Sequence, residues 1–295
     1  MMLRETRAVK GGHVLVRLAT RVRDTMTAWI SGVCEANGIG INYVRTGGAK
    51  PSVVLLHGLM GSGACWTPLA RALEAEFDVV MPDARGHGDS SAPHDGYRYD
   101  DHVNDVVGLM RVLALARPVL LGNSMGGMTA AMVASRGAAL LRGLILVDPT
   151  FLNAERQREL RDSDVADQHR RALGLQKSEL VAQARARHPH RAHELVELQA
   201  EARLKTRIKA FEVLSPPYPE YHDAVSAIDV PSLLVIGDSP VVTLEMATEL
   251  RSLNRRLRIA QIQDAGHGLP FEQPERLAEV VVTFLREQHL TEQRC

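Results

Sequence analysis

The segment Pro118–Ser135, PVLLGNSMGGMTAAMVAS, limits the architecture more than any other stretch of the chain. A short apolar run ends at Gly122, Ser124 follows two residues later, and Gly126 and Gly127 open a helical pattern. An apolar run without polar alternation reads as a strand buried on both faces, in a sheet that helices cover on each side. Glycines two residues before and after Ser124 imply a strand-to-helix turn so tight that neighbouring backbone excludes a Cβ. Such a turn lifts a hydroxyl off the end of the sheet, where the following helix directs the positive end of its dipole. Ser124 is therefore the candidate nucleophile; capping the helix is the alternative role for a serine here.

The same rhythm runs along the chain. INYVRTGG (Ile41–Gly48) reads as a strand with a turn, and SVVLLHG (Ser52–Gly58) as a second buried strand. GACWTPLARALEAEF is helical, with Leu69, Leu73 and Phe77 on one side. Strand DVVMPD, helix YDDHVNDVVGLMRVLAL and strand LRGLILVDP continue the alternation, which then stops. From Phe151 to Leu214 the chain is rich in Arg, Glu, Gln, His and Ala in helical patterns, and Pro-rich SPPYPEY closes that block. PSLLVIGD, TLEMATELRSL, LRIAQIQD and PERLAEVVVTFLREQ resume the strand–helix order. Strands alternating with helices predict parallel βαβ units. The expected fold class is α/β, a mostly parallel sheet with helices on both faces and a helical cap insert. The expected division is an N-terminal extension over 1–37, a core over 38–150 and 219–295, and a cap over 151–218.

Apolar residues at 45% suffice for a sizeable core, and 35 basic against 35 acidic side chains leave no formal net charge. That balance argues against a nucleic-acid binder. Cys34, Cys65 and Cys295 are widely spaced and form no CxxC, so neither a disulfide framework nor a zinc site is expected, and a reducing, cytoplasmic compartment is. No apolar run reaches the ~18 residues of a membrane span. The basic start MMLRETRAVKGGHVLVRLATRVRD lacks the apolar centre of a secretory signal; it reads as an extension ahead of the fold, with a targeting arm as the alternative.

A nucleophilic serine needs a base, and the base needs an orienting carboxylate. His267, in DAGHGLPFEQPE, lies in a Gly-flanked loop between the last strand and the last helix. Asp238, at the end of LLVIGD, is the expected acid; Asp148, at the end of LILVD, is the rival. The N–H groups of Leu59, in the loop HGLMGSG, and of Met125 are the expected oxyanion donors. His57 reads as structural, and Trp66 and Met128 as candidate pocket walls, with ordinary core as the alternative for each. His188, His190 and His193 are interrupted by Pro189 and read as a solvated face, so no metal and no cofactor is expected.

HGLMGSGACW (His57–Trp66), MPDARGHGDS (Met81–Ser90), GNSMGG (Gly122–Gly127), LVDP (Leu146–Pro149) and AGHG (Ala265–Gly268) together resemble the α/β-hydrolase family. The resemblance extends from about Gly38 onward and is closest to small cofactor-free enzymes near N-formylmaleamate deformylases, esterases and lactonases. It implies an acyl-enzyme hydrolase of a small ester, amide or lactone, with Ser124, Asp238 and His267 as triad. GNSMGG is also similar to the elbow of meta-cleavage-product C–C hydrolases, but GLMGSG stands where those usually carry GPG. In GDSPVV, Asp238 follows Gly237 directly, where the family often has additional residues. A serine rather than an aspartate at 124 separates the chain from haloalkane dehalogenases and epoxide hydrolases. Three other readings stay open: a C–C hydrolase, a perhydrolase, and a non-catalytic small-molecule receptor. The expected partner is a small-molecule substrate, and a homo-oligomer stays open. Arg170, Arg171 and Arg207 are candidate partners for a substrate carboxylate, with solvent exposure as the alternative.

Overall fold

Nine strands form one sheet among residues 17–18 and 29–292, which the computed structural model describes. They are β1 (Arg17–Leu18), β2 (Ile30–Ala36), β3 (Ile39–Arg45), β4 (Ser52–Leu56), β5 (Asp78–Pro82), β6 (Val119–Ser124), β7 (Gly143–Pro149), β8 (Ser232–Ile236) and β9 (Leu257–Gln261). Their order is β1-β2-β3-β5-β4-β6-β7-β8-β9. Pairing is antiparallel from β1 to β5 and parallel from β5 across to β9. This is the α/β hydrolase fold.

The apolar runs are continuous because each parallel strand is covered twice. Val54, Leu56, Val80, Leu120, Leu144 and Leu234 face one layer, with helices Tyr99–Val112, Met125–Arg136 and Leu244–Leu253. Val53, Leu55, Val79, Leu121, Ile145 and Val235 face the other, with helices Thr67–Leu73 and Pro274–Glu292. Period-two side chains thus divide a single strand between two cores.

Strand order also positions the site. From β4 the chain steps outward on one side to β5, then returns to lay β6 on the other side. The carboxyl ends of β4 and β6 therefore border a topological switch point, where open α/β sheets leave a crevice. The loop after β4 carries His57–Gly61, and the end of β6 carries Ser124.

The extension expected over 1–37 requires correction. Residues 1–16 and 19–28 lie outside the described residues, but Ile30–Ala36 is β2, paired to β3 along its whole length. Asn37 (φ 51°) and Gly38 (φ 77°) turn the chain between the two strands. An Asn-Gly pair between alternating strands is a strong hairpin signal, because both residues tolerate the positive φ that such turns require.

Between β7 and β8 come helices Ala154–Asp162, Val165–Ala172, Lys177–Arg187 and His193–Lys205, a helical turn Ile208–Leu214 and a short helix Tyr221–Ser226. The third and fourth pack through Leu180 and Ala200, together with Ala172, in a small apolar cluster of their own. Among the described residues, no helix is long and apolar enough to cross a membrane.

Candidate active site

Gly122 and Gly126 make the turn at Ser124. A Cβ on Gly122 would stand 2.2 Å from the carbonyl oxygen of Gly126, and one on Gly126 would stand 2.4 Å from that of Leu56. With both side chains absent, β6 can turn sharply into helix Met125–Arg136, and Ser124 sits in the turn at φ 53°, ψ −120°. A non-glycine residue held there is strained, and the strain persists because strand and helix fix it from both sides.

His267 reaches the serine from the loop after β9. Ser124 Oγ lies 3.0 Å from His267 Nε2, and His267 Nδ1 lies 2.6 Å from Asp148 Oδ2. With Nδ1–H donating to the carboxylate, Nε2 is free to accept the serine proton. Asp148 is fully buried. Its two oxygens also accept hydrogen bonds from Val241 N and Val242 N, each at 2.9 Å. Three N–H donors offset the cost of desolvating that charge. Thr150, which the sequence reading did not single out, places its Oγ1 3.2 Å from Ser124 Oγ.

The carboxylate on the imidazole is thus Asp148, not the expected Asp238. Asp238 is exposed; its carboxylate accepts from Asp264 N at 2.7 Å and Gln261 Nε2 at 3.3 Å. The cause is local. Asp148 adopts φ 39° near the end of β7, the strand adjacent to β6, which brings it beside His267. The loop after β8 supplies backbone N–H groups to Asp148 in place of a carboxylate.

The loop after β4 packs directly on the serine: a Cβ on Gly58 would stand 3.0 Å from Ser124 Cβ. Two buried histidines brace this loop. His57 Nδ1–H donates to Gly58 O (2.8 Å), while its Nε2 accepts from Ala84 N (2.9 Å). His87 Nδ1–H donates to Arg85 O (2.9 Å), while its Nε2 accepts from Met60 N (3.3 Å). A backbone N–H only donates, so each ring must be neutral in this arrangement. Burial lowers the pKa of His57 and carries that of His87 well below the usual imidazole value. Burial likewise brings His102 down to about 3.

A pH dependence of stability follows. The unfolded chain takes up protons on these imidazoles near pH 6.5, whereas the folded chain resists them until the pH is lower. Their stabilising contribution is complete above about pH 6.5 and falls away as the pH drops through the lowered folded values. Asp105, pushed upward by burial against its bond to Arg85, acts in the opposite sense, but only nearer the carboxylate range. Urea midpoints should therefore decline between pH 7.5 and pH 5; equal midpoints would contradict neutral buried rings.

Above Ser124 opens a cavity of about 280 Å³. Leu59, Trp66 and Phe271 line it from the sheet side, and Arg187 and Arg203 from two inserted helices with Arg191 from the loop between them. Met128 does not line it. It is fully buried in the core, because helix Met125–Arg136 turns that side chain into the first apolar layer. Of the arginines expected near a substrate, Arg170 and Arg171 are exposed and paired with Asp167 and Asp164, and Arg207 is exposed. Among the described residues, no group of three His, Cys, Asp or Glu is arranged to hold a metal ion.

The family described as the α/β hydrolase fold matches residues 51–274. The chain is 28% identical to N-formylmaleamate deformylase of Pseudomonas putida over 256 residues, 82% of this chain and 91% of that protein. It is 34% identical to 2-(acetamidomethylene)succinate hydrolase of Mesorhizobium japonicum over 107 residues, 36% of this chain and 38% of that protein. A crystal structure of E-2-(acetamidomethylene)succinate hydrolase superposes with a TM-score of 0.76 at 23% identity, covering 88% of this chain and 99% of the other.

Proposed function

The chain belongs to the α/β hydrolase family and is a hydrolase of small substrates; from that premise we propose that Ser124, His267 and Asp148 cleave a small carboxylic ester, amide or lactone through an acyl-enzyme. One observation carries this reading: the continuous hydrogen-bonded line from Ser124 Oγ through His267 to buried Asp148, at 3.0 Å and 2.6 Å. Ser124 gives its proton to His267 Nε2 as Oγ attacks the carbonyl carbon. The negative oxygen is received by the N–H groups of Leu59 and Met125. The close packing of the loop after β4 on Ser124 supports that assignment. His267 then returns the proton to the leaving group, and the acyl group stays on Ser124. Water, deprotonated by His267, attacks the acyl carbon and releases the acid. Asp148 holds the imidazole in the tautomer that can accept, and it stabilises the imidazolium that forms in each half-reaction.

The inserted segment over 151–218 acts as the cap over this site, consistent with the cavity walls that its helices Lys177–Arg187 and His193–Lys205 supply. The similarity to N-formylmaleamate deformylase supports hydrolytic removal of an acyl group from a small substrate. The test is covalent: a fluorophosphonate probe should label the intact chain with 1:1 stoichiometry, and digestion should place the adduct on the peptide that contains Ser124. Labelling at any other residue, or none at all, would overturn the mechanism.

A further inference from the structure

Three of the buried side-chain polar atoms without a partner among the described residues belong to walls of the one cavity above Ser124: Trp66 Nε1, Arg191 Nε and Arg203 Nε. All three are N–H groups, and none can accept a hydrogen bond. An unsatisfied buried donor is costly, so a site that holds three of them is built to receive an acceptor. Trp66 is 4% exposed and the Arg191 side chain 8%.

Charge narrows the choice of acceptor. Arg191 is partly engaged: Nη1 donates to Gln199 Oε1 at 2.8 Å, and Nη2 donates to Glu272 Oε1 at 3.2 Å. Arg203 differs. The charged side chain that acts on it most is Arg187, a second cation on the same cavity wall. Burial and that repulsion both disfavour its positive form, and no carboxylate offsets them among the described residues. Arg187 spends one N–H on a backbone carbonyl, Gln183 O at 3.3 Å. The cavity therefore holds more positive charge than the protein balances.

We propose that the cavity binds a carboxylate carried by the substrate at a distance from its scissile carbonyl, anchored on Arg203 between Arg187 and Arg191, with Trp66 Nε1–H as an added donor. The position of the scissile bond rests on the hydrolase reading above; the anion seat does not. A planar guanidinium matches the two oxygens of a carboxylate, and the remaining donors stand ready to complete its coordination. Glu272 gives the seat a link to catalysis. Its other oxygen, Oε2, accepts from Gly266 N at 2.8 Å, next to His267. Arg191 thus ties the cap to the loop that presents the base.

Two measurements decide this. The first compares kcat/KM for 4-nitrophenyl hydrogen glutarate and 4-nitrophenyl pentanoate, acyl chains that differ by a terminal carboxylate in place of a methyl group. The native chain should prefer the charged ester at least about tenfold at low salt, the scale of a charge-assisted hydrogen bond. That ratio should collapse in Arg203→Gln and recover in part in Arg203→Lys. A native ratio near one, or one unchanged by Arg203→Gln, overturns the proposal while leaving ester hydrolysis intact. The second measurement is calorimetric titration of glutarate into Ser124→Ala and into Ser124→Ala/Arg203→Gln, with inorganic phosphate in parallel. Binding of glutarate that weakens about tenfold or more without Arg203 supports the seat even where neither ester is turned over, an outcome that would instead sink the hydrolase reading. No binding of glutarate, or binding of phosphate alone, overturns the carboxylate assignment.

Discussion

Asp148→Asn should lower kcat for a 4-nitrophenyl ester by roughly 10³-fold or more, while Asp238→Asn stays within about threefold. Asp148 meets three donors: Val241 N–H and His267 Nδ1–H at Oδ2, and Val242 N–H at Oδ1. An asparagine amide has one oxygen and one NH2 group for the same three. If the NH2 takes the Oδ2 position, it opposes two donors and pushes the imidazole toward the tautomer that cannot accept from Ser124. If it takes the Oδ1 position, it opposes Val242 N–H. In both cases the negative charge that stabilises the imidazolium is gone. Asp238 has no such burden. It is exposed, and an amide oxygen can still accept from Asp264 N. Ser124→Ala sets the floor of the series, with a loss on the order of 10⁶-fold, because removing the nucleophile disables the remaining members together. Initial rates on purified, folded variants decide the matter. If Asp238→Asn fell as far as Asp148→Asn, the geometry at His267 would not be the working one.

That contrast also marks how far the sequence could be read. The turn at Ser124 was legible because its requirements are local: Gly122 and Gly126 must lack side chains, and a buried strand must precede them. His267 was legible from its place after the last strand. The choice between Asp148 and Asp238 was not, since each ends a strand beyond the turn. It depends on the positive φ of Asp148 and on which neighbouring loop offers N–H groups. The hairpin at Asn37-Gly38 lay in plain view in CEANGIGI, but the basic stretch before it drew β2 into the expected extension. The cavity arginines were hidden for a different reason. The chain holds many arginines, and Arg187, Arg191 and Arg203 differ from Arg170 and Arg171 only in what the fold sets against them. An arginine-rich helical stretch gives the exposed and cavity-facing arginines the same signature, and only the tertiary fold, which turns some of them to the cavity, separates them. Met128 and Trp66 show the same limit, one turned into the core and the other to the cavity.

Gly126→Ala should cost at least about 3 kcal/mol of stability, with a fall in Tm on the order of 10 °C, or prevent soluble folding. The added methyl group would lie 2.4 Å from Leu56 O and 2.7 Å from His57 O. Both are backbone atoms at the end of β4, so neither can rotate away as a side chain would. Relief requires helix Met125–Arg136 and the loop after β4 to separate, and those two elements carry Met125 and Leu59. Activity per folded molecule should therefore drop along with stability, because the separation moves the two N–H groups proposed to receive the oxyanion. Gly174→Ala is the matched control. A Cβ there meets only Arg171 O, at 3.4 Å, and its backbone does not need the left-handed region. Alanine at that position should change stability by less than about 1 kcal/mol, in the stabilising direction if anything, since it restricts the unfolded chain. Thermal melts and specific activities of the two variants separate a requirement for close backbone approach from a general sensitivity to losing glycine. Equal, small effects at both positions would mean that β4 and the helix after Ser124 do not meet as closely as the serine's strained turn demands.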